Sequence, residues 1–298
     1  MSTSPGRPDG VPAVTPTDIE PGRGRVVLVV AAHADDPTLF CGGTILRWAD
    51  TGWRVVVGRV TDDRWDSVGV DEATTIERSR EELGLAMAAL GVSETVDWQW
   101  PTDTLADASE VAIRERVIWA IRKYRPHTIV THDPHSGVGE DNQDHFVVGS
   151  AVDEAVWTAQ FDKHHPEHMV AGLAPHGVFE QWYFGRPVAE VTDVVDVSVT
   201  LDRAIAAALH HELPLRNLVH QLRLQARTGG WRVPLLDDAQ DGDLAPVIGT
   251  LLRRRATDTG AKYRLDAAEE FRIVRFGGLA PLLELFGERI ETDGAREP

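Results

Sequence analysis

The chain has 298 residues, a formal net charge of -17 and one cysteine among 42% hydrophobic residues. That balance excludes an intrachain disulfide and a thiolate zinc cluster, argues against nucleic acid or an anionic membrane as partner, and favours small-molecule ligands. No run reaches the roughly 18 apolar residues of a membrane span, and residues 1–22 are rich in Pro, Gly, Ser, Thr and Asp. The expectation is a disordered tail and a cytoplasmic, soluble body.

In chain order, Val26 to Ala32 is an uninterrupted, largely β-branched run of the length of a fully buried parallel strand. Pro37 suits the first position of a helix that continues through Thr38 to Asp50. Trp53 to Thr61 predicts a second strand, ending in Asp62-Asp63-Arg64. A helix over Glu72 to Leu90, closed by Gly91, a short strand over Thr95 to Trp100, a helix over Ala106 to Tyr124 and a strand over Pro126 to Thr131 follow. The loop His132 to Asn142 leads into a helix over Gln143 to Thr158. Gly177 to Phe184 and Thr192 to Val197 read as strands, and Leu201 to Arg227 as helix with a break near Pro214. Thr228 to Asp243 reads as a surface loop or lid, and Leu244 to Arg255 and Ala267 to Val274 as helices. Strands alternating with helices predict an α/β fold, a Rossmann-like, doubly wound, mostly parallel sheet with a C-terminal helical and loop extension. The expected organisation is one domain over residues 23–285, of which 200–285 shapes the substrate site, with a tail over 286–298.

His33, Asp35 and Asp36 stand at the carboxyl end of the first strand, where a core would not tolerate them unless paired or ligating. In a 3-2-1-4 strand order that turn faces the loop after the fourth strand across the switch-point crevice. The trio then meets His132, Asp133, His135, Asp141, Asn142, Asp144 and His145. Two imidazoles and a carboxylate converging on one point make a three-ligand metal site with open positions. His33, Asp36 and His145 are the candidate ligands and zinc the default ion, with another divalent metal allowed. Asp35 is left over as a general base, and the combination suits attack on an amide or ester carbonyl. Any one of the twelve histidines is more often an ordinary surface or core residue, so it is the joint placement that carries the reading. No G-x-G-x-x-G follows the first strand, which argues against a nicotinamide enzyme.

Ala32-His33-Ala34-Asp35-Asp36-Pro37, together with Asn142-Gln143-Asp144-His145, resembles the A-H-P-D-D-E turn and later H-x-D-H of the PIG-L or LmbE-like metal-dependent N-deacetylases. Asp196-Val197-Ser198, His210 and Ala268-Glu269-Glu270-Phe271 are similar to the family's C-terminal landmarks. The resemblance implies an LmbE-like fold, zinc on His33, Asp36 and His145, and Asp35 as the base that activates water. It also implies a substrate-binding role for Asp103. The implied activity is removal of an N-acetyl or other N-acyl group from an amino sugar or glycoside-like metabolite. Asn142 replaces a histidine that in the family polarises the carbonyl or protonates the leaving amine, which places Asn142 in the catalytic group, with Asp144 holding the loop. Arg64, Asp103 and His210 are the candidate substrate contacts. Rival readings are a non-heme iron enzyme using the same two-histidine, one-carboxylate triad, and a non-catalytic metal- or sugar-binding protein. The expected partner is a small N-acylated amino sugar, and a homo-oligomer is compatible with the sequence.

Overall fold

The computed structural model of the chain describes residues 14, 16–239, 243–275 and 279–288. Among them, seven strands form one sheet: β1 (Val26–Ala31), β2 (Arg54–Thr61), β3 (Glu94–Trp100), β4 (Thr128–His132), β5 (Glu180–Phe184), β6 (Asp193–Asp196) and β7 (Ala268–Arg275). The helices are α1 (Asp36–Asp50), α2 (Glu72–Ala89), α3 (Glu110–Tyr124), α4 (Gln143–Thr158), α5 (Pro166–Val170), α6 (Leu201–Ala208), α7 (Glu212–Thr228), α8 (Pro234–Asp237), α9 (Ala245–Tyr263) and α10 (Ala280–Phe286). The order across the sheet is β3-β2-β1-β4-β5-β7-β6, so the expected 3-2-1-4 arrangement is present. Strands β1 to β5 are parallel, and β7 runs antiparallel to both β5 and β6.

β1 is central because its side chains find apolar partners on both faces. Val27 and Val29 join Val55, Ile45, Leu46 and Leu83 in one core layer, while Leu28 and Val30 join Ile129, Ile113, Val117, Val148 and Val152 in the other. The alternation is that of an extended chain. Each such burial contributes about 1.5–3 kcal/mol, which holds the end of β1, and the polar turn after it, in a fixed place. A third apolar cluster joins α7, α8 and α9 through Leu215, Val219, Leu236, Val247 and Ile248.

The structure departs from the sequence expectation in several places. Ala267 to Val274, expected as helix, is strand β7. Ala268 and Phe271 are spaced like a helical face, but Phe271 and Ile273 are the pair buried by the sheet, and hydrogen bonding between β5 and β6 decides the outcome. The helix expected over Leu244 to Arg255 continues to Tyr263. Leu201 to Arg227 is split into α6 and α7 just before Pro214. Of the tail expected over residues 1–22, positions 1–13 and 15 lie outside the described residues, while the segment from Pro16 is tied down. Thr17 N donates to Val194 O at 2.7 Å, and Trp53 Nε1 to Glu20 O at 2.7 Å. The loop over 228–243 contains α8 and is docked on α7, where Arg223 donates to Leu236 O and Ala239 O; residues 240–242 lie outside the described residues. The expected tail over 286–298 lies outside them from residue 289. Among the described residues no helix is long and apolar enough to cross a membrane.

Helix α4 approaches the end of β4 so closely that a Cβ on Gly149 would stand 2.6 Å from His132 O and 3.2 Å from Pro134 N. Gly149 lies one helical turn after His145, so this contact sets the position of that imidazole. Gly149→Ala is expected to cost about 1–3 kcal/mol in urea unfolding through overpacking. An unchanged unfolding midpoint would show that α4 shifts freely and that the close approach is not a constraint.

Candidate metal centre

The site begins where β1 stops. The turn Ala32 to Asp36 is clamped by both neighbouring strands. From the β2 side, Thr61 N and Oγ1 donate to Ala32 O at 2.9 and 2.8 Å, and Asp63 Oδ2 accepts from Ala34 N at 3.2 Å. From the β4 side, His132 Nε2 meets Ala32 N at 3.2 Å. Asp36 Oδ2 accepts from His33 N at 2.7 Å and closes the turn on itself. Asp63 is held by Arg59 Nη1 at 2.9 Å and Ser79 Oγ at 2.6 Å, and buried Arg59 divides its guanidinium between Asp63 and Asp97. Arg59 and Asp63 are therefore both paired, as burial requires.

His33 Nδ1, the Asp36 carboxylate and His145 Nε2 converge on one spot. The two imidazole nitrogens are 3.2 Å apart, His145 Nε2 is 3.3 Å from Asp36 Oδ1, and His33 Nδ1 is 3.5 Å from Asp36 Oδ2. A tetrahedral zinc ion with bonds of about 2.0–2.1 Å would hold its ligands about 3.4 Å apart, so the three donors are already spaced to share one ion. Each imidazole has a carboxylate behind it: His145 Nδ1 faces Glu140 Oε2 at 3.1 Å, and His33 Nε2 faces Asp144 Oδ2 at 3.7 Å. This is the arrangement that fixes the tautomer of metal-bound histidines.

Charge makes the same point. Burial opposes charge on His145, yet Asp36 and Glu140 outweigh it and hold the ring up at about 9. His33 is likewise raised, its burial outweighed by Asp144 and Asp36. Burial of Glu140 is outweighed by His145, leaving its carboxyl at about 2. The carboxylates call for positive charge at this point, which a divalent ion would supply in place of protons on the imidazoles.

The other candidates fall into four groups. Asp35 occupies the N-cap position of α1, half-buried, and its side chain makes no capping hydrogen bond. Burial first, then Asp36 and Asp66, push its carboxyl up to about 8. Asp144 and Asn142 act on the backbone. Asp144 accepts from Asp103 N at 2.7 Å and Leu105 N at 3.2 Å, and Asn142 Oδ1 caps α4 by accepting from Asp144 N at 2.9 Å. Asp103, exposed, has a carboxylate oxygen within 4.8 Å of ligand atoms of His33 and Asp144. Arg64 and His210 are elsewhere engaged. Arg64 spends its guanidinium on Asp62 at 2.5–3.1 Å, and His210 lines a separate groove of about 470 Å³ between α2 and α7 with Arg78 and Glu212.

Sequence reasoning passed over Glu140, whose loop has no periodic pattern, and Asp66, raised to about 7 by burial despite nearby His33. It also singled out His210 rather than its neighbour His211, which is fully buried and pushed down to about 3 by that burial. His165, Glu167 and His168 form a second group of possible metal ligands, with Glu167 exposed. There His168 already pairs with Arg122 at 3.0 Å and Glu115 at 2.9 Å.

Comparison with known proteins places the chain in a family. Residues 28–156 match the sequence model of the PIG-L family, described as GlcNAc-PI de-N-acetylase, and contain the three candidate ligands, Asp35, Glu140 and Asp144. A 1D-myo-inositol 2-acetamido-2-deoxy-alpha-D-glucopyranoside deacetylase of Mycobacteroides abscessus is 33% identical over 159 residues, 45% of this chain. The match spans 57% of that relative, little more than half its length. A protein of the same name from Rhodococcus erythropolis is 30% identical over 216 residues, 58% of this chain and 73% of its own. The fold is similar to that of N,N'-diacetylchitobiose deacetylase from Pyrococcus horikoshii, with a TM-score of 0.69 at 20% identity over 84% of each chain. Given a relative of that identity covered over most of its length, and a family match spanning both the turn after β1 and the start of α4, the chain belongs to the PIG-L family.

Proposed function

We propose that the chain is a zinc-dependent hydrolase that removes the N-acetyl group of an amino sugar. The observation that carries this reading is the Asp35 side chain, which makes no capping hydrogen bond, beside a two-histidine, one-aspartate cluster already spaced for one ion. His33, Asp36 and His145 would hold that ion, which when bound supplies Lewis acidity, making water nucleophilic near neutral pH and polarising an amide carbonyl. The proton traffic falls to Asp35. Its raised proton affinity suits a group that takes a proton from the attacking water and returns it to the leaving nitrogen as the C–N bond breaks. Acetate and a free amine are the products.

His132 is a poor donor for that second transfer: burial and His145 push its ring down to about 4, and it lies stacked 3.9 Å from His145. Asp103 offers an acceptor to sugar hydroxyls at the mouth of the site. The names of the relatives support a 2-acetamido sugar as the substrate class.

The test is release of primary amine, read by a fluorogenic amine reagent, from a panel of N-acetylated amino sugars with metal-replete protein. Asp35→Asn should keep zinc and lose about 10²- to 10⁴-fold in kcat, whereas His145→Ala should lose most of the zinc. A chain that binds zinc stoichiometrically yet frees no amine from any member of the panel would sink the reading.

Asn142 allows a sharper discrimination, because its carbonyl oxygen is spent on the α4 cap. Asn142→Ala is expected to lose about 1 kcal/mol of stability and to keep kcat within threefold, because a lost cap costs helix stability alone. A fall of about 100-fold in kcat at unchanged melting temperature would assign the amide to the developing oxyanion instead.

Zinc affinity should also depend on pH, since the raised imidazoles must give up protons on binding. Below about pH 9 the His145 proton competes with the ion, so affinity should rise with pH by about tenfold per unit for each proton displaced. A flat profile between pH 6 and 8 would contradict ligation by His145.

A further inference from the structure

Helix α1 is broken, and both sides of the break are closed by residues from the far end of the chain. Cys41 departs from helical geometry, with φ -144° and ψ 23°. In an unbroken helix, Gly43 N and Thr44 N would donate to the carbonyls of Leu39 and Phe40. Here Gly43 N donates to Glu269 Oε1 and Thr44 N to Glu269 Oε2, each at 2.8 Å, and Thr44 Oγ1 adds a third bond at 2.6 Å. Leu39 O accepts instead from Arg255 Nη1 at 3.1 Å. A carboxylate from β7 thus caps the N–H groups that begin the second half of the helix. A guanidinium from α9 caps a carbonyl that ends the first. Each carries the charge that the helix dipole favours at that end.

The two halves are anchored independently. A Cβ on Gly43 would stand 2.6 Å from Val197 Cβ, and Thr200 Oγ1 donates to Gly43 O at 3.0 Å, so the second half is fixed against the β6–α6 connection. The first half begins at Asp35 and Asp36 and ends at Phe40, whose ring meets His132 and His145 edge-on with centroids 6.2 and 6.1 Å away. Arg255 lies 4.9 Å over that same ring, and its Nη2 reaches Gly185 O at 3.3 Å. The angle between the halves therefore fixes where Asp35 and Asp36 stand relative to His33 and His145, and Glu269 and Arg255 hold that angle.

We infer that Glu269 and Arg255 are positioning residues for the metal centre, setting the break in α1 so that Asp36 meets the two imidazoles and Asp35 stands beside them. The inference rests on Asp36 being a metal ligand. A plain structural role would cost stability alone, whereas a positioning role changes metal affinity and turnover as well.

The test uses the full chain, with zinc affinity from chelator competition, kcat and KM on an N-acetylated amino sugar, and the thermal midpoint. Glu269→Ala and Arg255→Met are each expected to weaken zinc binding about 10- to 100-fold, the usual effect of losing a group that orients a ligand. They should also lower kcat, with KM changed less than about twofold, since a positioning loss acts on ligand geometry. Glu269→Gln, which keeps one acceptor oxygen, should recover part of both. Ile118→Val, buried in α3 on the opposite face of the sheet, is the control that loses stability by cavity formation alone. If Glu269→Ala does not fold, Arg255→Met and Glu269→Gln carry the comparison. Zinc held as tightly by these variants as by Ile118→Val would overturn the inference. Failure of the wild-type chain to bind zinc would instead overturn the metal-centre reading on which it rests.

Discussion

Three carboxylates, Asp36, Glu140 and Asp144, are buried with two imidazoles at the carboxyl end of β1, and that charge has to be balanced where it stands. Leaving one such carboxylate unpaired in the interior costs several kcal/mol, so each is given a specific partner. Glu140 takes His145, Asp144 takes His33 and two backbone N–H groups, and Asp36 lies between the imidazoles. The surrounding elements hold these pairings in place. The β2 side supplies Thr61 and the Arg59–Asp63 pair, which secure the turn from one flank, and β4 secures it from the other through His132.

The sheet order makes the assembly possible. Because β2 and β4 flank β1, the turn after β1 and the start of α4 face one another, although His33 and His145 are separated by most of the matched family segment. The contribution of the last fifth of the chain is less direct. β7 inserts antiparallel between β5 and β6, which carries Glu269 to the underside of α1, and α9 brings Arg255 to the same break. Those two residues lie beyond the stretch that the family model covers. A second tie crosses the same region, where Arg272 of β7 pairs with Asp133 at 2.6 Å and steadies the loop leading to Glu140.

What could be read from the sequence was whatever local pattern determines. An apolar strand ending in His-x-Asp-Asp must place that trio at a strand terminus, and alternating strands and helices must stack as layers, so the fold and the turn that carries the candidate ligands were visible. Contacts made only in three dimensions were not. Glu140 sits in an aperiodic loop, and nothing nearby in sequence reveals that it backs His145. Arg64 stands at the expected strand end, but Asp62, two residues earlier, captures its guanidinium. Where α6 gives way to α7, one residue decides between solvent and core: His210 is exposed and His211 is fully buried. In Ala268 to Arg275 the apolar spacing fits a helix nearly as well as a strand, and only the vacant edge between β5 and β6 settles it.

Whether His33, Asp36 and His145 share one divalent ion is tested most directly by zinc X-ray absorption on the loaded chain. Shared ligation predicts nitrogen and oxygen neighbours at about 2.0–2.1 Å, with the outer-shell scattering of two imidazole rings, reduced to one ring in His145→Ala if any zinc is retained. Zinc bound with no imidazole scattering, or a spectrum unchanged by His145→Ala, would contradict it.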